Sequence, residues 1–136
     1  MDDFFKEAQA YAKAKDAAGK AHAAAPTPDP SWEAMLPFVR GERPLVLHAD
    51  EMRQIRSAIT WAATNQFKII LAGARDAWRV ADLLATNHVP VIYKYVYALP
   101  VRDTDAYDAQ FRGPELLRQA GVKVAFSVGG GFSAAL

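Results

Sequence analysis

The chain has 136 residues, with 16 Lys or Arg against 15 Asp or Glu, so its formal net charge is +1. This is the length of one ordinary domain, and a balanced charge provides no long-range field to gather phosphates, which excludes a dedicated nucleic-acid binder. The hydrophobic fraction of 51% excludes wholesale disorder. The sequence contains no cysteine, which excludes disulfides, zinc ribbons, iron–sulfur clusters and thiol nucleophiles.

Targeting and membrane signals are not apparent in the sequence. The first residues, Met1–Asp3, are acidic where a signal peptide is basic. No apolar run approaches the roughly 20 residues that a membrane-spanning helix needs. The sequence therefore predicts a cytoplasmic protein that does not associate with a membrane.

Residues 1–43 are predicted to form a helical segment followed by a proline-rich linker. Helical spacing of apolar residues and a high alanine content predict a first helix over residues 2–24. Alternating prolines over residues 26–30 then favour an extended path. Ser31 is the expected N-cap of a short second helix, and Gly41 is its expected C-terminal stop.

Residues 44–136 are predicted to form a second domain of alternating strands and helices. Four short apolar runs indicate buried strands, at residues 44–48, 68–72, 91–96 and 122–128. Asp50 and Asp76 are expected to cap the helices that follow the first two strands, and Pro114 is expected in the first turn of the third helix. This order demands parallel pairing with right-handed crossovers, which predicts an α/β fold.

In parallel sheets, functional side chains gather where the strands end. The candidate site residues are therefore those in the last part of the first three predicted strands or shortly after them: His48, Asp50, Arg75, Asp76, Lys94 and Tyr95. His48 is either a metal ligand or base, or a structural histidine held by hydrogen bonds. Lys94 is either a pocket cation or an edge-strand lysine that blocks aggregation.

Two further segments carry polar or permissive groups near the same edge. Gly129–Gly131 either cradles an anion through its N–H groups or simply provides a flexible strand exit, which is the interpretation we prefer because no phosphate-binding motif accompanies it. Three aspartates in the loop of residues 99–113, Asp103, Asp105 and Asp108, lack the spacing of a calcium loop. They are expected to form local ion pairs in a solvated loop.

Seven segments together resemble a known family in their order and spacing. They are Pro44–Asp50, Ile69–Gly73, Asp76–Leu84, Val89–Ile92, Leu99–Pro100, Asp105–Ala109 and Ala120–Lys123. The chain resembles the second half of the amidohydrolase superfamily barrel, and imidazolonepropionase-like amidohydrolases in particular. The resemblance implies a partial (β/α)8 barrel of about four parallel strands, matching barrel strands 5 to 8 and preceded by the helical segment.

The resemblance also implies an activity and a cofactor. The family hydrolyses C–N bonds other than peptide bonds in small molecules, with a divalent metal of the zinc type. His48 matches the metal ligand after barrel strand 5. Ala72–Ala74 and Ser127–Gly129 stand where the family has a His after strand 6 and an Asp after strand 8.

Two functions follow as expectations. The chain is a fragment of an amidohydrolase-like hydrolase that is inactive in isolation, or it is a catalytically silent half-barrel that serves as a binding or assembly module. Four strands without closure leave two sheet edges and the barrel-facing surface open. We therefore expect a homo-oligomer that covers this surface.

Overall fold

The computed structural model describes residues 2–21 and 27–127. The chain forms two compact units that divide between Pro44 and Leu45. The helices and strands are α1 (Asp2–Ala21), α2 (Pro30–Val39), β1 (Leu45–Ala49), α3 (Met52–Asn65), β2 (Ile69–Gly73), a short 3-10 helix (Ala77–Val80), α4 (Ala81–Thr86), β3 (Val91–Tyr93), α5 (Ala109–Gln119) and β4 (Val124–Phe126). None of the helices in these ranges has both the length and the apolar character needed to cross a bilayer.

The first unit consists of the two helices α1 and α2. Polar contacts join them, because the Glu33 carboxylate accepts hydrogen bonds from Tyr11 Oη and Lys15 Nζ, each at 2.6 Å. The pKa of Glu33 is lowered, mainly by the Lys15 hydrogen bond and then by the Tyr11 hydrogen bond. Residues 22–24, predicted to extend the first helix, lie outside the described residues.

The second helix begins earlier than the sequence predicts. Asp29, and not Ser31, is the N-cap, and its Oδ1 accepts the Ser31 N–H at 2.8 Å. Pro30 can occupy the first helical position because the N–H that proline lacks has no partner there. At the other end, Gly41 has a φ of +69° and follows the C-cap Arg40, as predicted for a helix stop.

The second unit is built on a four-stranded parallel sheet with the strand order β1-β2-β3-β4. This confirms the predicted α/β fold with intervening helices. Each crossover leads from one strand to its immediate neighbour, and all of them move across the sheet in the same direction. Because such crossovers are right-handed, they place all the connecting helices on one face of the sheet, which is the winding of a (β/α)8 barrel.

The two faces of the sheet differ in their exposure. The helix-covered face carries Leu71, Val91 and Tyr93, which are fully buried. The opposite face, called the open face below, carries alternate residues that the strand register places side by side: Val46, His48, Ile70, Ala72, Ile92 and Ala125. Val46 is 53% exposed there, and the helices that connect the strands of the second unit lie on the other face.

The third and fourth strands are shorter than predicted. Strand β3 ends at Tyr93, so Lys94 and Tyr95 follow the strand and the alternation expected for a strand over residues 91–96 does not extend to them. Strand β4 spans only Val124–Phe126, and residue 128 lies outside the described residues. In both strands, the apolar run in the sequence is longer than the segment that pairs with its neighbour in the sheet.

Helix α3 begins with Glu51 as its N-cap, not with Asp50. The Gln54 side chain reaches back and accepts the N–H groups of Asp50 at 3.2 Å and Glu51 at 3.3 Å. The Glu51 side chain accepts the Gln54 backbone N–H in return, which completes the reciprocal arrangement of a capping box. The Asp50 carboxylate is thereby left for other contacts.

Helix α5 begins at Ala109 and contains Pro114 in its interior, whereas the sequence predicted Pro114 at its start. Proline has no N–H, so the carbonyl of Gln110 loses its usual helical donor. The Tyr93 hydroxyl lies 3.2 Å from this carbonyl oxygen and 2.6 Å from Gln110 Oε1. The Tyr93 hydroxyl thus donates to the Gln110 carbonyl in place of the N–H that Pro114 lacks.

Candidate functional site

The last residues of neighbouring strands lie side by side. Ala49, Gly73, Tyr93 and Phe126 form one row of the register. The four residues that follow them make the carboxyl edge of the sheet: Asp50, Ala74, Lys94 and Ser127. Backbone hydrogen bonds join the chain segments at this edge, including Asp76 N–H to the Asp50 carbonyl at 2.8 Å and Lys94 N–H to the Gly73 carbonyl at 3.2 Å.

His48 lies on the open face, one row before the end of β1, and it is exposed. Its neighbours in the same row are Ala72, Ile92 and Ala125, none of which has a side-chain donor atom. The described residues contain no group of three or more His, Asp or Glu side chains that could hold a metal ion. A catalytic zinc-type site needs about three protein ligands, so these residues do not suit one by themselves.

Asp50, which follows β1, accepts a hydrogen bond from a residue that follows β3, two strands away in the sheet. Its Oδ2 accepts the Tyr95 hydroxyl at 2.8 Å. Burial raises the pKa of Tyr95, and the hydrogen bond to Asp50 raises it further. The segments that follow β1 and β3 are therefore joined across the end of β2.

Gly73 makes room for the Asp50 carboxylate. Its φ is +87°, and a Cβ at this position would lie 2.3 Å from Asp50 Oδ1. Oδ1 is buried and has no hydrogen-bond partner among the described residues. A side chain at position 73 would therefore displace Asp50.

Arg75 lies against the same tyrosine. Its guanidinium carbon is 5.6 Å from the centroid of the Tyr95 ring, within the range of a cation–π interaction. Among the described residues, no carboxylate lies within ion-pair distance of Arg75. Asp50, Tyr95 and Arg75, all predicted from the sequence as site residues, thus form one contiguous group at the carboxyl edge.

Asp76 has a different role from the one predicted. Its side chain is 1% exposed, and it gives no side-chain cap to the 3-10 helix that follows. Instead it accepts two hydrogen bonds from Arg102, at 3.0 and 2.6 Å, and one from the Met52 N–H at 3.3 Å. Burial alone would raise the pKa of Asp76, but the Arg102 and Met52 hydrogen bonds and the charge of Arg102 outweigh it and lower that pKa.

Arg102 belongs to a small ion-pair network. It also lies 3.6 Å from Asp105, whose carboxylate pairs with Arg79 as well. The local ion pairs predicted for the loop aspartates are thus present, and Asp108 forms another with Arg112. However, the Asp105 side chain is only 2% exposed, so this part of the loop is not solvated as predicted.

Sequence reasoning did not find Arg102 as the partner of Asp76. The two residues are 26 positions apart, and Arg102 lies in a loop without periodic pattern. A buried aspartate needs a partner, but the sequence alone does not say that Asp76 is buried. Lys94, the remaining candidate, is exposed after the end of β3. Gly129–Gly131, the glycine triplet considered above, lies outside the described residues.

Comparison with known proteins supports the architecture. No protein-family model and no curated protein matches the chain. Among solved structures, an amidohydrolase from Thermotoga maritima MSB8 is similar, with a TM-score of 0.72 and 23% sequence identity over 91% of this chain. The chain spans 32% of the length of that structure. At this identity the likeness establishes the fold, which is that of part of an amidohydrolase structure.

Proposed function

We propose that this chain forms the C-terminal half-barrel of an amidohydrolase-like enzyme that hydrolyses C–N bonds other than peptide bonds in small molecules. The main support is the likeness of its fold to part of a solved amidohydrolase. The position of polar groups is consistent with this: His48, Asp50, Arg75 and Tyr95 lie at the end of the sheet where enzymes of this architecture place their sites.

In this proposal the chain contributes binding and orienting groups, and it is inactive in isolation. His48 presents its imidazole to the open face, and Tyr95 is held by Asp50 next to Arg75. The family uses a divalent metal of the zinc type, but the described residues contain no group of three or more ligand side chains that could hold one. We therefore assign no reaction step to a metal on this chain. The imidazolonepropionase-like subgroup remains part of the proposal.

A second function has its own support. The row that contains His48 holds a single donor side chain, which favours a catalytically silent half-barrel that acts as a binding or assembly module. In either case we propose that the open face is covered by another copy of the chain in a homo-oligomer. Its half-buried and exposed apolar side chains, Val46, Ile70 and Ile92, favour such burial.

One experiment separates the two functions. The isolated chain and the complete product of its gene are analysed for bound metal and assayed with imidazolone-type and dipeptide-type substrates. The enzyme proposal expects turnover by the complete product and none by the isolated chain. His48→Asn should reduce that turnover about tenfold or more. His88→Asn is the matched control, because His88 is an exposed histidine at the end of a helix, with a φ of +54° that asparagine tolerates. A complete product without metal and without turnover would contradict the enzyme proposal and support the silent module.

A further inference from the structure

Among the described residues Arg75 has no anionic partner, unlike the arginines near it. Arg79 pairs with Asp105, and Arg102 pairs with Asp76. In the described part of the chain, the Arg75 guanidinium forms no salt bridge and no side-chain hydrogen bond, and it lies 5.6 Å from the centroid of the Tyr95 ring. Stacking on an aromatic face leaves the N–H groups at the guanidinium rim free to donate hydrogen bonds.

The orientation of Arg75 is fixed by a series of contacts. The glycine at position 73 admits the Asp50 carboxylate, Asp50 accepts the Tyr95 hydroxyl at 2.8 Å, and the Tyr95 ring supports the guanidinium. Arg75 is also only partly exposed, so its stem is restrained. A preorganised side chain, already restrained in its binding conformation, loses less conformational entropy when it binds a ligand.

We propose that Arg75 is the recognition residue for the carboxylate group of a small-molecule ligand at the carboxyl edge, and that Tyr95 and Asp50 position it. A guanidinium presents its donors as a planar fork, which matches the two oxygens of a carboxylate. One guanidinium carries a single positive charge, which a singly charged carboxylate balances better than a phosphate does. Lys94, exposed at the same edge, adds positive charge nearby. This inference rests on the proposed function in one respect, since it takes the ligand to be the substrate of the proposed hydrolase. It then predicts that this substrate carries a carboxylate group.

Binding of small probes tests this assignment without any turnover. The probes are N-acetylglycine, its neutral analogue N-acetylglycinamide, and inorganic phosphate, titrated into the full chain and followed by NMR chemical shifts. We expect N-acetylglycine to bind roughly tenfold more tightly than the amide. Arg75→Gln should reduce the affinity for N-acetylglycine to that of the amide. Arg53→Gln, at an exposed arginine of α3, is the matched control and should leave both affinities unchanged.

The tyrosine variants test the positioning role. Tyr95→Phe keeps the ring and loses the hydrogen bond to Asp50, so we expect a smaller loss of affinity than for Tyr95→Leu, which removes the ring. Equal binding by the original chain and Arg75→Gln would overturn the proposal, as would stronger binding of phosphate than of the carboxylate. No binding of N-acetylglycine would also overturn it. Carboxylate binding that depends on Arg75, in a protein whose complete gene product shows no turnover, would refute the enzyme proposal and leave this one standing.

Discussion

The carboxylate of Asp76 and the guanidinium of Arg102 form a two-pronged ion pair, with N–O distances of 3.0 and 2.6 Å, between segments that follow two different strands. Asp76 is buried, and Arg102 is partly exposed. The pair fixes the long loop that follows β3 against the end of β2. This makes a structural anchor of a residue that the sequence predicted as part of a binding pocket.

We expect Arg102→Met to lower the free energy of unfolding by about 2 kcal/mol, because it leaves a buried carboxylate without its charged donor. Urea unfolding of the second unit measures this. Arg118→Met is the control, since Arg118 also makes two hydrogen bonds to one carboxylate, that of Glu115, but on the exposed surface of α5. Its cost should be much smaller than that of Arg102→Met, because water and salt screen an exposed ion pair. Equal losses for the two variants would show that the Asp76 pair is no anchor.

The same pair predicts a pH dependence of stability. The pKa of Asp76 is lower in the folded protein than in the unfolded chain, where it is about 3.9. The ionised form is therefore the one that folding stabilises, and this contribution is complete above the unfolded pKa and is lost as the pH falls through the folded pKa.

Unfolding of the original chain and of Asp76→Asn should be compared between neutral pH and strongly acidic pH. We expect the difference in their free energies of unfolding to be constant at neutral pH and to shrink as the pH falls below about 4. Other carboxylates with lowered pKa values, such as Glu33 and Glu115, are present in both proteins and cancel in this difference. A difference that grows on acidification would contradict the assignment.

Gly73→Ala should destabilise the protein more than Gly121→Ala. The two glycines have nearly the same φ, +87° and +88°, so each substitution strains the backbone by a similar amount, on the order of 1 kcal/mol. Among the described residues, only at position 73 would the new Cβ meet another atom, Asp50 Oδ1 at 2.3 Å, whereas none of their atoms lies within 4 Å at position 121. We expect an additional cost of about 1–3 kcal/mol for Gly73→Ala. Adding Asp50→Ala should recover part of it, and failure to do so would exclude the clash as the cause.

Tyr93→Phe should lower the free energy of unfolding by about 1–2 kcal/mol. The Tyr93 hydroxyl donates to Gln110 Oε1 at 2.6 Å, and both side chains are fully buried, so the variant leaves a buried amide oxygen without a donor. Tyr97→Phe is the control, because Tyr97 is 91% exposed, and its effect should stay within about 0.5 kcal/mol. Thermal or urea unfolding distinguishes the two, and similar small effects would mean that the Gln110 contact contributes little.

Self-association through the open face predicts that Val46→Glu dissociates the oligomer. Val46 is an exposed apolar residue on that face, so burying a carboxylate there in an interface is unfavourable. Val101→Glu introduces the same charge at an exposed valine of the loop after β3 and should leave the assembly intact. Sedimentation velocity measures both. A monomeric original chain, or equal dissociation by both variants, would rule out this surface as the interface.

The sheet was predictable because its signal is local. Leu71 and Val91 lie in short apolar runs between turn residues, and the alternation of such runs with helical segments indicates buried strands. The ends of those strands were less predictable. Lys94 follows three paired residues of an apolar run, and only the tertiary pairing decides that β3 stops at Tyr93.

The candidate site was predicted in part. Asp50, Arg75 and Tyr95 were found because the ends of parallel strands meet at one edge, a rule that depends on topology alone. Their contacts with one another, and the role of the glycine at position 73, depend on side-chain geometry that the sequence does not specify. Asp76 was placed at the correct edge, but its predicted role as a side-chain helix cap is wrong, because the carboxylate bonds to the distant Arg102 instead.

The anchoring of the loop after β3 constrains how this protein tolerates change in evolution. A loop that only joins two elements can be shortened, lengthened or replaced with little effect on its neighbours. Here the loop carries Arg102, which neutralises the buried carboxylate of Asp76 in the segment after β2. A replacement loop without an arginine at the equivalent position would leave that buried carboxylate without a counter-charge. Positions 76 and 102 are therefore expected to vary together among descendants of this chain.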